Sequence, residues 1–405
     1  MRKKTVCRIH DLIGLVHALY PPALAEEWDN VGLQVGDPGA EVSRVMIALD
    51  PSAAAVETAA AAGAQLLLTH HPLIFRPLQQ IVPQDEIGRT VMAAVRGNIA
   101  ILAAHTNLDR AGNGLNDWLA ARLDLNDCQP LATASGSLNK LVVCVPPDHA
   151  ESVAEALFAG GAGTVGRYDR CSFRASGIGT FRPGAGTRPF TGSVGSNSEV
   201  AEVRLETIVP AEAVSRVINR MLKTHPYEEV AYDLIPLANR RSDVGLGRIG
   251  RLPQPLPLEH FARRVGERLA TATLRYCGDP QQLVSKVAVC GGSGMSLLAE
   301  AARQGADALV TGDVKYHEAR SAEARGVALV DAGHFATERL AVPVLVAVLQ
   351  QEAVRRGLLL EFIEMSAERD PFRVLADADD GNGSGGQATG DAAGKQTGGR
   401  RAGRS

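Results

Sequence analysis

The chain has 405 residues, 45% of them hydrophobic, and a formal net charge of -3. That length can bury a sizeable core and divide into two or three domains, while the near balance of charge gives no overall attraction to nucleic acid or to an anionic membrane. The six cysteines are scattered without a CxxC pair, which argues against a disulfide framework or a thiolate zinc site.

The amino terminus, "MRKKTVCRIHDLIGLVHALYPP", begins basic but has no long apolar core and no small-residue cleavage site. No later stretch reaches the roughly 18 apolar residues of a spanning helix. The expectation is a cytoplasmic globular protein. The first part alternates strand and helix signals: strand "VSRVMIALD" (42–50), helix "SAAAVETAAAAG" (52–63), strand "AQLLLTHHP" (64–72), a helix around "IGRTVMAAVRG", strand "IAILAAHT" and a helix over "GLNDWLAARLDL". Continuous apolar strands separated by helices predict a largely parallel sheet covered on both faces.

From Lys140 to about Leu237 the order becomes strand "KLVVCVPP", helix "AESVAEALFAGG", a strand near "RYDRCSFRASGIGTFRP", a Gly/Ser-rich stretch, strand "EVAEVRLETIVP", helix "AEAVSRVINRMLKTH" and strand "EVAYDLIPL". That βαββαβ order is the pattern of ferredoxin-like domains. The Pro-rich "RLPQPLPLEHF" then marks re-entry into an α/β pattern, with strands "KVAVCGG", "ADALVTGD" and "VALVDAGH" and a long helix over "ATERLAVPVLVAVLQQEAVRRG". The expected architecture is therefore a two-lobed α/β core with an inserted ferredoxin-like domain. Its parts are a first lobe over 1–138, the insert over 139–237, a second lobe over 238–376 and a disordered tail over 377–405, whose composition cannot offset its ordering entropy.

His70 and His71 stand side by side at a strand end before Pro72. Neighbouring side chains of a regular strand point to opposite faces, so adjacent histidines converge only where the strand ends and the chain turns. Ligands of open α/β sheets bind at the carboxyl ends of strands. Two further strand ends behave alike: "ILAAHTNLDRAGNG" supplies His105 and Asp109, and "VALVDAGHFATERL" supplies His334, with Glu338 four residues on. An isolated i, i+4 His/Glu pair is ordinarily a solvated helix face. Three strand ends that each deliver imidazole or carboxylate are harder to dismiss. His70, His71, Asp109, His334 and Glu338 supply three imidazoles and two carboxylates, enough for two divalent ions sharing one carboxylate. Zinc, manganese, iron and cobalt all suit such donors.

The stretches "EEWDNVGLQVGD", "LLLTHHPLIF", "AAHTNLDRAGNGLND", "TGDVKYHEA" and "DAGHFATE" resemble, in order, the signature motifs of the Nif-three family, catalogued as GTP cyclohydrolase 1 type 2 homologues. "THPYEEVAYDLIPL" and "GLGRIG" resemble its longer bacterial members, which carry an insert related to the PII and CutA fold. The resemblance spans about residues 10 to 372. It implies a dinuclear metal site between the lobes, ligands at His70, His71, Asp109, His334 and Glu338 with Glu338 bridging, and a toroidal homohexamer. It also places His105 and His317 near the metals, as proton shuttles or supports for a bound water.

The reaction class that follows is hydrolysis by an activated water, acting on a small molecule. The catalogue name implies a nucleotide, GTP, with ring opening and formate release, although the sequence shows no triphosphate cradle or guanine-reading motif. A nucleotide phosphoesterase and a non-catalytic metal-binding scaffold with a ligand-sensing insert are the alternatives. "CGGSGM" (290–295) reads as a tight packing turn rather than an anion site, Asp29 and Asn30 as makers of local turn bonds, and His225 as a residue that shapes the insert.

Overall fold

The apolar runs form strands in three sheets of the computed structural model, which describes residues 6–133, 138–239 and 241–373. In the first sheet Arg44–Ala48, Leu66–Thr69 and Ala100–Ala103 run parallel. Their side chains alternate between two cores. Met46, Leu67 and Ile101 pack with Val56, Ala59, Val91 and Ala94 of the helices Ala53–Ala61 and Glu86–Gly97. Val45, Ile47, Leu66, Leu68 and Leu102 point the other way, towards the helices Ile9–Leu19 and Ala341–Arg356. Burial on both faces explains why these strands read as unbroken apolar runs.

The second sheet has its own parallel centre, Leu283–Val289, Ala308–Thr311 and Ala328–Asp331. Val287, Val289, Val310 and Val330 enter the same large core as Ile47 and Leu68, so the two sheets share one hydrophobic interior. The sheets are interleaved along the chain. Glu361–Glu364 pairs parallel with Arg44–Ala48 in the first sheet, and Asn126–Ala132 forms the far edge of the second against Leu246–Pro257. The Pro-rich segment lies within Leu246–Pro257, whose register against Leu283–Val289 breaks between Arg251 and Leu256. Pro253 and Pro255 fall in that break, where no ladder N–H is required.

The third sheet has the order Ser172–Phe181, Ser198–Pro210, Leu138–Val145, Tyr232–Leu237, with every neighbour antiparallel. The helices Ala150–Gly160 and Val214–Thr224 cover one face, closing Val153, Leu157, Val217 and Met221 over Leu141, Val143, Leu205 and Val209. The long helix expected from residue 336 is two helices, His334–Glu338 and Ala341–Arg356. Pro343 accounts for the break, because it lacks an N–H and its ring would clash with the carbonyl of Arg339 in a continuous helix. No helix among the described residues is long and apolar enough to cross a membrane, and the tail expected over 377–405 lies outside the described residues.

Candidate metal centre

The candidate residues all follow the carboxyl ends of parallel strands. His70 and His71 leave Leu66–Thr69, His105 follows Ala100–Ala103 and Asp109 lies on the short helix after it, and His334 follows Ala328–Asp331. Because the two sheets share a core, these ends converge. His70 Nε2 lies 3.7 Å from both Asp109 Oδ1 and Glu338 Oε1. His71 Nε2 is 2.9 Å from Glu338 Oε2, and His334 Nε2 is 3.0 Å from the same oxygen. Two triplets have donor atoms close enough for one ion each: His70, His71 and His105, and His71, His334 and Glu338.

Each imidazole is oriented through its other nitrogen. Nδ1 of His70 donates to the Ala104 carbonyl at 3.0 Å, Nδ1 of His71 to Asp50 at 2.8 Å, Nδ1 of His105 to Asp29 at 2.9 Å and Nδ1 of His334 to Asp313 at 2.7 Å. Fixing Nδ1–H in this way turns four Nε2 atoms towards one centre, the arrangement that metal-ligating histidines use. Sequence reasoning missed Asp50 and Asp313 as supporting carboxylates, although both follow parallel strands just as the histidines do. Asp313 holds φ at 57°, a left-handed conformation that a non-glycine residue adopts only where its surroundings impose it. Asp29 does make the expected local bond to the Asn30 N–H, but it also accepts from His105 and from the Thr106 N–H. Those bonds outweigh burial and hold its carboxyl at about 2.

The electrostatics are those of buried imidazoles and carboxylates held against one another. Burial drives the His70 imidazole down and the Asp109 carboxyl up, the latter with help from the charge of Glu338. Burial also lowers His71, but Asp50 and Glu338 outweigh it and raise its pKa to about 10. Glu338 raises His334 to about 9, against the opposing effect of burial. Burial would raise the Glu338 carboxyl, yet the surrounding histidines hold it well below its ordinary range. His70 Nε2 and Asp109 Oδ1 are buried and have no hydrogen-bond partner among the described residues. Two orphaned acceptors 3.7 Å apart are costly in a protein interior, and the spacing suits two donors on one ion with bonds of about 2 Å. The residues present therefore fit divalent metal.

The "CGGSGM" turn packs beneath the cluster. Three of its amides are taken by side chains of the protein, Gly291 N by Asn116 Oδ1, Gly292 N by Thr337 Oγ1 and Gly294 N by Thr311 Oγ1. A Cβ on Gly292, whose φ is 59°, would lie 2.2 Å from Glu338 Oε1. His317 belongs to neither triplet and is exposed on the helix Tyr316–Ala324, with its ring against Tyr316. His225 stays in the third-sheet region, where its Nε2 donates to the Cys144 carbonyl and its Nδ1 accepts from the Tyr227 N–H.

Comparison with known proteins gives concordant matches. Residues 7–371 match the family described as Duf34/NIF3 (NGG1p interacting factor 3). The GTP cyclohydrolase 1 type 2 homolog of Halalkalibacterium halodurans is 41% identical over 365 residues, covering 90% of this chain and 98% of that protein. The protein of the same name from Bacillus subtilis is 42% identical over 326 residues, 80% and 87% of the respective chains. The crystal structure of a Bacillus cereus protein related to NIF3 superposes with a TM-score of 0.83 at 39% identity, covering 92% of this chain and all of that one.

Proposed function

Because the chain belongs to the Duf34/NIF3 (NGG1p interacting factor 3) family, we propose that its histidine and carboxylate cluster is the dinuclear centre of a divalent-metal-dependent hydrolase acting on a nucleotide. The observation that carries this reading is the pair of orphaned buried acceptors, His70 Nε2 and Asp109 Oδ1, inside a cluster of inward-turned imidazoles. His70, His71, Asp109, His334 and Glu338 would hold two zinc, manganese, iron or cobalt ions, and Glu338 would serve both. Ions held by such donors polarise a substrate oxygen or nitrogen and lower the pKa of water.

The chain's own groups supply the rest of the chemistry. His105 is oriented by Asp29 through Nδ1, the pairing that prepares an imidazole for general acid and base work at Nε2. Trp28 and Phe75 stand 57% and 44% exposed beside it, with the Trp28 ring 6.0 Å from that of His105 and 5.5 Å from that of Phe75. Exposed aromatic faces at the edge of a polar site offer a stacking surface for a planar base. For GTP, the substrate that the relatives' name suggests, water adds to the carbon between the two imidazole nitrogens of guanine and a C–N bond opens. The departing nitrogen takes a proton, which His105 would deliver, and a second hydrolysis releases formate.

Residues 139–237 would form an inserted ferredoxin-like domain, a reading that the βαββαβ order and four-stranded antiparallel sheet support, between lobes that follow 1–138 and 238–376 except where Asn126–Ala132 and Glu361–Glu364 each join the other's sheet. Assembly into a toroidal homohexamer is expected from the family resemblance and is tested by sedimentation velocity. The decisive experiment loads the purified protein with each metal, measures metal content, and follows formate release from GTP beside phosphate release from a panel of phosphoesters. Metal-dependent formate release supports GTP opening, and phosphate release alone transfers the site to phosphoester hydrolysis. Full metal occupancy with no turnover overturns the hydrolase reading in favour of a metal-binding scaffold.

A further inference from the structure

A cavity of about 310 Å³ lies against the third sheet, apart from the metal cluster and its chemistry. It opens on the sheet face turned away from the two helices. On the strand Ser198–Pro210, Leu205 and Val209 point to the helix side and are buried there, so Glu202, odd-numbered steps away from both, projects to the other side. Glu202 pairs across the ladder with Gly177, and its carboxylate lies over Gly179, where a Cβ would meet Oε2 at 2.2 Å. Glycine at this point leaves room for the carboxylate.

Glu202 is only 9% exposed. Tyr227 Oη donates to its Oε1 at 2.8 Å, while Oε2 accepts no hydrogen bond from any described residue. Glu202 forms none of the ion pairs found among the described residues, and the same holds for Glu228 and Glu229 on the cavity wall. The remaining wall combines the rings of Phe181, Phe190 and Tyr227 with Pro183, Pro189 and small residues, and the rings of Phe190 and Tyr227 lie 6.0 Å apart at 46°. A carboxylate in apolar surroundings is costly without a counter-charge, and aromatic faces attract cations within about 6 Å of the ring centroid.

The missing counter-charge does not suit a metal ion. None of the three carboxylates belongs to a group whose donor atoms converge closely enough to hold one among the described residues, and hard cations require six or more oxygen ligands or retained water. The volume falls at the small end of ligand pockets, which run from about 300 to 1,000 Å³. We propose that this cavity binds a small organic ammonium ion, its charge on Glu202 and its apolar body against the wall to which Phe190 and Tyr227 contribute their rings. The proposal stands apart from the metal-centre reading, so either can fail alone.

The test uses the full chain and two probes, choline and butylammonium, with dimethylbutanol as the uncharged carbon isostere of choline. Saturation-transfer NMR and calorimetry read binding. At least one ammonium probe is expected to bind, and dimethylbutanol is expected to bind at least about tenfold more weakly than choline, since hydrogen bonds and contacts to a charged group carry that much discrimination. Glu202→Gln, which keeps the shape and a partner for Tyr227, should weaken ammonium binding about tenfold or more. Phe190→Ala gives a second reading on the aromatic wall, and it decides the matter if circular dichroism shows the first variant unfolded. The proposal is overturned if neither ammonium probe binds at millimolar concentration, if choline and dimethylbutanol bind equally, or if the folded variants bind as the parent does. Displacement of the bound probe by magnesium or calcium alone would also overturn it.

Discussion

His71 and His334 lie 263 residues apart in sequence and face each other with their Nε2 atoms 3.3 Å apart, both against Oε2 of Glu338. In the metal-free protein that carboxylate is shared by two imidazoles whose pKa values are raised, to about 10 for His71 and about 9 for His334, from 6.5. The sign follows directly. Protonated His71 and His334 stabilise the metal-free fold fully below about pH 6.5, and the contribution is lost as pH rises through about 9 to 10.

Metal binding requires neutral imidazole, so at neutral pH it must expel these protons. Zinc binding at about pH 7 is therefore expected to release about two protons per chain from His71 and His334, and the affinity should keep rising with pH up to about 9 to 10. Calorimetry in buffers of different protonation heat measures the release. Binding heats that do not depend on the buffer would show that the cluster is not protonated when empty.

Glu338 is held from below by a glycine turn, which makes the carboxylate testable without removing it. Gly292→Ala adds a Cβ where φ is 59° and where Oε1 would be 2.2 Å away. The expected result is a folded protein that loses metal almost as Glu338→Ala does. His105→Ala, which removes an imidazole seated on Asp29, should lose less metal than either, with a loss of activity out of proportion to its loss of metal. Elemental analysis showing equal metal loss in Glu338→Ala and His105→Ala would remove the bridging role from Glu338.

The strand-end rule made His70, His71, Asp109, His334 and Glu338 legible, because parallel strands buried on both faces leave unmistakable apolar runs and the residue that follows each run is at a known edge. It reached neither Asp50 nor Asp313, since a single carboxylate after a strand looks the same whether it caps a turn or orients a histidine. Sheet membership was also out of reach. Periodicity marks Asn126–Ala132 and Glu361–Glu364 at best as strands, and only the shared core decides that each joins the sheet of the other half of the chain. His317 shows the reverse limit: a motif position near Asp313 in sequence points outward once the helix Tyr316–Ala324 begins.

Arg248, in the "GLGRIG" segment, carries a fully satisfied buried charge. Its guanidinium makes two bonds to Asp117, at 2.6 and 2.7 Å, and donates to the carbonyls of Gly245, Gly247 and Ala111. These contacts tie a strand of the second sheet to the helix Leu115–Arg122. Arg248→Met would leave Asp117 with only the Gly114 N–H and take the guanidinium from three carbonyls, and a loss of about 3 kcal/mol is expected. Lysine should recover little, because a single ammonium cannot match the planar fork. Denaturant midpoints measure both variants, and a shift under about 0.5 kcal/mol for methionine would show that water replaces the guanidinium at no cost.

The third-sheet segment should be removable. Leu138 and Leu237, at its two ends, are direct partners on adjacent antiparallel strands, so its termini lie about 5 Å apart, the condition that tolerates excision or insertion of a domain. Its helices and strands form a hydrophobic cluster of their own, with Leu141, Leu205, Val217 and Met221 in contact with one another and absent from the core that the other two sheets share. The metal cluster draws no residue from it. Replacing residues 139–237 with a short flexible linker is therefore expected to give a folded protein with the metal content of the parent. Some destabilisation should follow where Pro22–Leu24 loses its contact with Ala211–Ala213. Circular dichroism and elemental analysis on the same sample check this. An insoluble or metal-free product would mean that the segment is part of the core's folding unit, and the same outcome would remove the case for treating it as an insert.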